Sequence, residues 1–327
     1  MQKIKFGIYK VALHVLLRLP DIFYSFLFAL FFPVYKALHT ERAYGRVVKH
    51  LKAAREYMDK EAPEHAEPLQ KVTARDVFKG IYWNALDSYR GLARFKSVER
   101  RIVFENEDII KNAVAECAKI GMPIAGISIH QGSFELMHRI LCRYGEHVQL
   151  ITDSVGDTAF REVLRELRSD HRLTEYHPEE TGRLIRELFR TKGILAMVVD
   201  QGKHTKGNTV SLFGRPSTLY LRLPKKINDM GAGIVTFRTW SENDNNHRSK
   251  KHIVIRFESY YPPQYDASHS NKTNVGTKTT QTNSSNESVT LDQSPLVTGI
   301  AREVETWIAE HPEQWSWNYH GNFTINP

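Results

Sequence analysis

Cysteine is nearly absent from the chain. Cys117 and Cys142 are the only two, and neither sits in a C-x-x-C pair or beside other ligand-type residues. That argues against a structural zinc and fits a reducing compartment. H-E-x-x-H is missing, which removes the usual helical zinc site of a metalloprotease. No nucleic-acid motif and no interleaving of basic and aromatic residues occurs, so a nucleic-acid partner is not expected. The sequence also lacks an internal repeat. The charge-free run at the N-terminus, Ile22 to Tyr35, has fourteen residues, short of the roughly 20 that a helix needs to cross a bilayer core.

What the sequence does have is basic charge. Its 327 residues carry 45 Lys and Arg against 37 Asp and Glu, a net charge of +8, which favours anionic partners, here a membrane surface. Residues 1–40 read as a membrane-associated helix. IFYSFLFALFFPVY is preceded by IYKVALHVLL, with Lys3, Lys5, Lys10 and Arg18 placed to meet anionic headgroups. A buried core helix and a cleaved signal peptide are the competing readings. Charges interrupt the apolar region and no small-residue cleavage site follows, which counts against the second.

Beyond residue 40 the pattern is α/β, a mostly parallel sheet flanked by helices. Leu51, Ala54 and Met58 stand at helical spacing, and Val72 to Phe95 reads as an aromatic-rich helix. Ile109 to Ile120, with Ala113, Ala115 and Ala118, reads as an amphipathic helix that Gly121 ends. Pro123–His130, Val148–Thr152, Gly193–Val199, Gly233–Phe237 and Ile253–Phe257 are short apolar runs of the kind that form buried strands. Ser133 reads as the N-cap of a helix running to Arg143. Further helices are expected over Asp157–Ser169, Pro178–Thr191 and Pro295–His311. Residues 266–293 are rich in Ser, Thr and Asn and are expected to be a disordered insertion, because they cannot bury enough apolar surface to offset the entropy of ordering.

Chemistry concentrates at His130-Gln131-Gly132-Ser133-Phe134-Glu135. A histidine ends an apolar strand and a carboxylate follows in the next turn. A carboxylate on one ring nitrogen fixes the tautomer and leaves the other free to accept a proton. Gly132 permits a tight turn and close approach of a substrate, and the helix start offers unpaired N–H groups. No serine or cysteine stands where a covalent intermediate would form, which points to direct attack by a hydroxyl that His130 deprotonates, with Glu135 as its partner. Asp200 and Gln201 end another strand and are expected to line the same cleft. Arg161, Arg165 and Arg168 share one helix face beside Phe160, Leu164 and Leu167. They form either a solvated face paired with Glu162 and Glu166 or a clamp for phosphates or an acidic protein. Trp315 and Trp317 read as a membrane-interface anchor or as core cover, and His138 as packing or surface.

Three segments carry a resemblance. HQGSFEL is similar to an H-x-G-N-W-E segment. VVDQGKHTKGNTVSLFGRPSTL is similar to a DQ…FFG-x-P-A segment in Asp200, Gln201, Phe213, Gly214 and Pro216. HPEQWSWNYHGNF is similar to PEQW-x-W-x-H in Pro312, Glu313, Gln314, Trp315, Trp317 and His320. Together, in order and spacing, they resemble the bacterial lipid A biosynthesis acyltransferases, the lauroyl and myristoyl transferases. The resemblance implies that residues 41–327 form an acyltransferase domain, with His130 and Glu135 as its H-x4-E pair. The expected site is lined by Gly132, Arg161, Arg165, Arg168, Asp200, Gln201, Phe213 and Gly214. The implied donor is a thioester of acyl carrier protein or coenzyme A, the acceptor a lipid A precursor or related glycolipid, and the location the cytoplasmic face of a bacterial inner membrane. No cofactor or metal is implied. A lysophospholipid, ornithine lipid or mannolipid acceptor is the nearest alternative, and a catalytically inactive membrane-binding relative the non-enzymatic one.

Overall fold

Apolar runs spaced by helical segments build a seven-stranded sheet in the computed structural model, which describes residues 2–152, 157–202, 206–243, 251–264, 280–281 and 289–317. Helices α1 (Gln2–Leu16), α2 (Asp21–Leu38), α3 (Gly45–Glu61), α4 (Glu67–Lys71), α5 (Ala74–Ala93) and α6 (Phe95–Glu99) precede strand β1 (Ile102–Glu105). There follow α7 (Glu107–Lys119), β2 (Ile124–Ser128), α8 (Met137–Leu141), β3 (Val148–Ile151), α9 (Thr158–Arg168) and β4 (Leu173–Tyr176). Next come α10 (Thr181–Thr191), β5 (Ile194–Val198), the hairpin β6 (Asn208–Leu212) and β7 (Arg215–Leu219), and α11 (Arg222–Asp229). β8 (Gly233–Asn243), β9 (Lys251–Tyr261), the two-residue β10 (Thr280–Gln281) and β11 (Val289–Thr290), and α12 (Pro295–Glu310) complete the order.

The sheet runs β1-β9-β8-β2-β5-β3-β4. Every neighbouring pair is parallel except β8 with β9. Its central strands are buried on both faces, which is why they read as continuous apolar runs. Alternation divides them cleanly: Ala125, Ile127, Leu195 and Met197 join the core on the side of α3, α10 and α12. Ile124, Ile194 and Ala196 join the core under α8, with Ile110 and Ala113 of α7. α5 begins at a capping box, in which the Thr73 hydroxyl accepts from Asp76 N–H and the Asp76 carboxylate accepts from Thr73 N–H. It then packs between α2 and the segments around His130.

The expected elements are present with differences that have physical causes. β8 and β9 are far longer than their apolar centres because they form an antiparallel ribbon extending beyond the sheet. β1 and β4 are short edge strands, too polar to stand out in the sequence, and are set by pairing with β9 and β3. On α7 the buried stripe is Ile110, Ala113 and Cys117, so Ala115 and Ala118 face solvent. The helix expected from Phe134 to about Arg143 breaks into a 3-10 turn, Phe134–Leu136, and the five-residue α8. Ser133 makes no capping bond, and its buried hydroxyl has no partner among the described residues. Such a short helix offers no developed dipole to an anion. Of the expected insertion 266–293, positions 266–279 and 282–288 lie outside the described residues. Within it β10 pairs with β11, and Leu291 is buried.

Candidate active site

His130 and Asp200 meet because their strands are register neighbours. Ser128 of β2 lies opposite Val198 of β5, so each of the two residues lies two positions past a paired position, at the carboxyl ends of parallel strands. Ligand sites of open α/β sheets form there. Asp200 is 3% exposed and is held from several sides. Its carboxylate accepts from the His130 backbone N–H at 3.0 and 3.1 Å. Oδ1 lies 2.7 Å from His130 Nδ1, and Oδ2 accepts from the Trp315 indole N–H at 2.9 Å. The ring partner is therefore Asp200, where the sequence suggested Glu135.

Glu135 is occupied elsewhere. Both of its oxygens accept from the Arg168 guanidinium at 2.9–3.0 Å, a forked pair. Arg168 also donates to the Thr152 hydroxyl. Burial acts to lower the Arg168 pKa, but Glu135 and then Glu175 outweigh it and the net direction is up. Burial holds the Glu175 carboxyl above its ordinary value against the pull of Arg168 and Arg165. Beneath them lies His138, fully enclosed, its ring bonded to the Arg168 backbone. Burial, with Arg168 and Arg139 adding to it, pushes its pKa down to about 3. Position 138 is thus core, one of the two roles expected for it.

Gly132 has φ +56°, and a Cβ there would fall 2.3 Å from the Thr239 carbonyl. The close approach that requires glycine is therefore to the β8 backbone rather than to a substrate. Its N–H donates to Gln314 O at 3.1 Å. Gln314 in turn pairs through its amide with both backbone groups of Ser241. Gln131 donates to Trp307 O, accepts from the Thr239 hydroxyl and bridges to Trp315. The turn after β2 is thereby sewn to the C-terminal segment 312–317. Phe134 packs edge-on against the His130 ring at 4.4 Å.

The remaining expected residues divide by position. Arg161 and Arg165 are exposed on α9 while Arg168 is mostly buried. Glu166 pairs with Lys10 of α1, so it is not a partner within the α9 face. Gln201 is half-buried directly after Asp200. Phe213 and Gly214 form the β6–β7 turn, both at positive φ. Phe213 is buried and stacks on Trp317, which packs against Trp315. It is thus two rings away from Asp200, and its N–H donates to the Glu305 carboxylate. Trp315 and Trp317 are both buried core residues rather than interface anchors. His320 lies outside the described residues. The residue that sequence reasoning missed is Trp315 as a donor to Asp200; its position in the PEQW segment marked it without indicating what it touches.

A family model described as bacterial lipid A biosynthesis acyltransferase matches residues 92–320. That range takes in every strand of the large sheet, His130, Glu135, Arg168, Asp200 and the segment around Trp315. No curated protein matches the sequence.

Proposed function

The chain belongs to the bacterial lipid A biosynthesis acyltransferase family, and on that premise we propose that it moves a fatty acyl chain from a thioester donor to a hydroxyl of a lipid A precursor or related glycolipid, with His130 as general base. Acyl carrier protein or coenzyme A carries the donor chain, and the reaction takes place at the cytoplasmic face of the bacterial inner membrane. The observation that carries the reading is the 2.7 Å contact between His130 Nδ1 and Asp200. With Asp200 ionised, Nδ1 holds its hydrogen towards the carboxylate and Nε2 presents a lone pair.

The steps follow from that tautomer. Nε2 takes the proton of the acceptor hydroxyl as its oxygen attacks the thioester carbonyl. The tetrahedral oxyanion collapses, the C–S bond breaks, and the imidazolium returns the proton to the leaving thiolate. Asp200 stabilises the imidazolium in between. No cofactor is consumed. The Glu135–Arg168 pair positions the wall beside the ring, and Arg161 and Arg165 attract acceptor phosphates. Two measurements test the reading. Transfer by purified, folded His130→Ala protein with carrier-protein and coenzyme A donors should fall at least about 100-fold; near wild-type turnover would falsify the mechanism. Mass spectrometry of lipids from cells lacking the protein should reveal a glycolipid short of one acyl chain.

A further inference from the structure

We propose that Glu305 of α12 is a positioning residue for the His130–Asp200 pair, acting on it through the left-handed β6–β7 turn and three packed aromatic rings. The proposal rests on the reading of His130 as general base, and it adds a residue that lies outside the three motif segments.

The β6–β7 turn is strained. Two residues join the strands, with Leu212 paired to Arg215. Between them Phe213 and Gly214 have φ +50° and +67°. A two-residue hairpin with both central residues in the left-handed region favours Asn-Gly. Gly214 meets that demand. Phe213 does not, because its Cβ crowds the backbone there. Such strain persists only where the surroundings over-determine it, and it gathers at sites of function.

Three neighbours hold the turn. Tyr57 of α3 closes on it from one side. A Cβ at Gly214 would fall 2.6 Å from the Tyr57 ring, which also meets Phe213 edge-on at 6.4 Å. The Glu305 carboxylate accepts the Phe213 N–H. Glu305 is half-buried, and burial pushes its carboxyl pKa up while the Phe213 N–H pulls it down. Taking a carboxylate out of water is expensive, and among the described residues no cation pairs with this one. The third neighbour is Trp317, whose ring stacks on Phe213 at 6.0 Å.

What the strained turn delivers is a buried ring. Trp317 meets Trp315 edge-on at 4.8 Å, and the Trp315 N–H reaches Asp200 Oδ2 at 2.9 Å. Trp317 is fixed in turn by its own indole N–H, which donates to Pro312 O at 2.7 Å. Asn or Gly at position 213 would ease the backbone and leave Trp317 without its stacking face. The far end of the same hairpin reaches the same place. There the Tyr220 N–H donates to Val199 O at 2.7 Å, one residue before Asp200. The hairpin therefore fixes Asp200 twice, through the backbone before it and through the indole that faces it. Glu305 sets where the turn end of that hairpin sits. Close-packed interiors transmit strain, so a displaced turn shifts Trp315 and with it the carboxylate that holds the His130 ring.

Full-length protein with isotope-labelled tryptophan tests this by nuclear magnetic resonance. The chain has five tryptophans, so the indole N–H signals are few, and Trp315→Phe identifies the one that matters. Glu305→Leu cannot accept a hydrogen bond. It should move the Trp315 indole signal from its carboxylate-bonded position and lower kcat about fivefold, the size expected for losing that one bond, with KM unchanged for donor and acceptor. Glu305→Gln keeps an accepting oxygen and should restore most of both. In the Trp315→Phe background, Glu305→Leu should lower kcat no further, because the bond it acts through is already gone. Should Glu305→Leu fail to fold, Phe213→Asn decides. It suits the turn, keeps the N–H and removes only the ring, and it should give the same indole shift and kcat loss. An unmoved indole signal in folded Glu305→Leu or Phe213→Asn overturns the proposal, as do additive kcat losses in the double variant. A raised acceptor KM in Glu305→Leu also overturns it, since that places Glu305 against substrate. The indole signal needs no acyl donor, so it answers even if His130→Ala retains transfer and the base assignment fails.

Discussion

The end of the sheet that carries His130 and the pair of helices at the N-terminus handle their side chains in opposite ways. At the sheet end Asp200 takes hydrogens from His130 and Trp315, Glu135 takes both arms of Arg168, and Gln314 closes on the β8 backbone. The N-terminal helices leave large apolar ridges uncovered. The first region is completed by the chain itself, and the second leaves its apolar surface exposed. Substitutions should therefore act on rate and local stability in the first and on partitioning in the second, with little crossover.

The sharpest test separates the two carboxylates. Asp200→Asn should lower transfer by about 10²–10⁴-fold, since the ring loses both its tautomer restraint and its counter-charge. Glu135→Gln should cost less and should leave the shape of the pH–rate profile unchanged, because its partner is Arg168 rather than the imidazole. If Glu135→Gln is the more damaging and reshapes the profile, the assignment of roles is reversed.

Next in size is Arg168→Ala. Removing one member of a largely buried pair strands the other, and a loss of about 3–5 kcal/mol in denaturant unfolding is expected. In the double variant with Glu135→Ala, part of that loss should be recovered. Additive losses would show that the two do not act as a pair.

A smaller effect is expected from Trp315→Phe, which keeps the ring and removes the N–H. The lost bond to Asp200 is worth about 1 kcal/mol, so turnover should fall several-fold while vesicle binding stays the same. Reduced vesicle binding would return Trp315 to the membrane surface.

The smallest effect is a slope. Burial holds His138 at about 3 and His311 at about 4, against an ordinary 6.5. Between those values the unfolded rings bind protons that the folded ones refuse, so stability should fall as pH falls from 6.5 towards 4. Calorimetry of His138→Gln should show a shallower acid limb. A limb as steep as that of the parent chain would mean that the ring does not contribute to it.

Much of the fold was legible where burial is complete. Pro123–His130 and Gly193–Val199 are continuous apolar runs because helices cover both faces of β2 and β5, and that signal is local. β1 and β4 were not legible, since IVFE and LTEY carry charge or polarity at an edge and become strands only by pairing. The Ser133 cap was misjudged because the turn is shaped by the β8 backbone pressing on Gly132, a contact across 107 positions of chain.

The sequence by itself determined that a histidine and an aspartate each end a buried strand, that a glutamate follows the histidine, and that a basic, apolar N-terminus precedes them. All of these are properties of short stretches, written in residue type and period. Only the tertiary structure decided which carboxylate faces the ring. That choice depends on β2 and β5 being parallel neighbours in the register Ser128–Val198, and on Arg168 arriving from α9 to take Glu135. Strand order and helix docking follow from how the two cores fill, a property of the whole chain, so no window around His130 contains them.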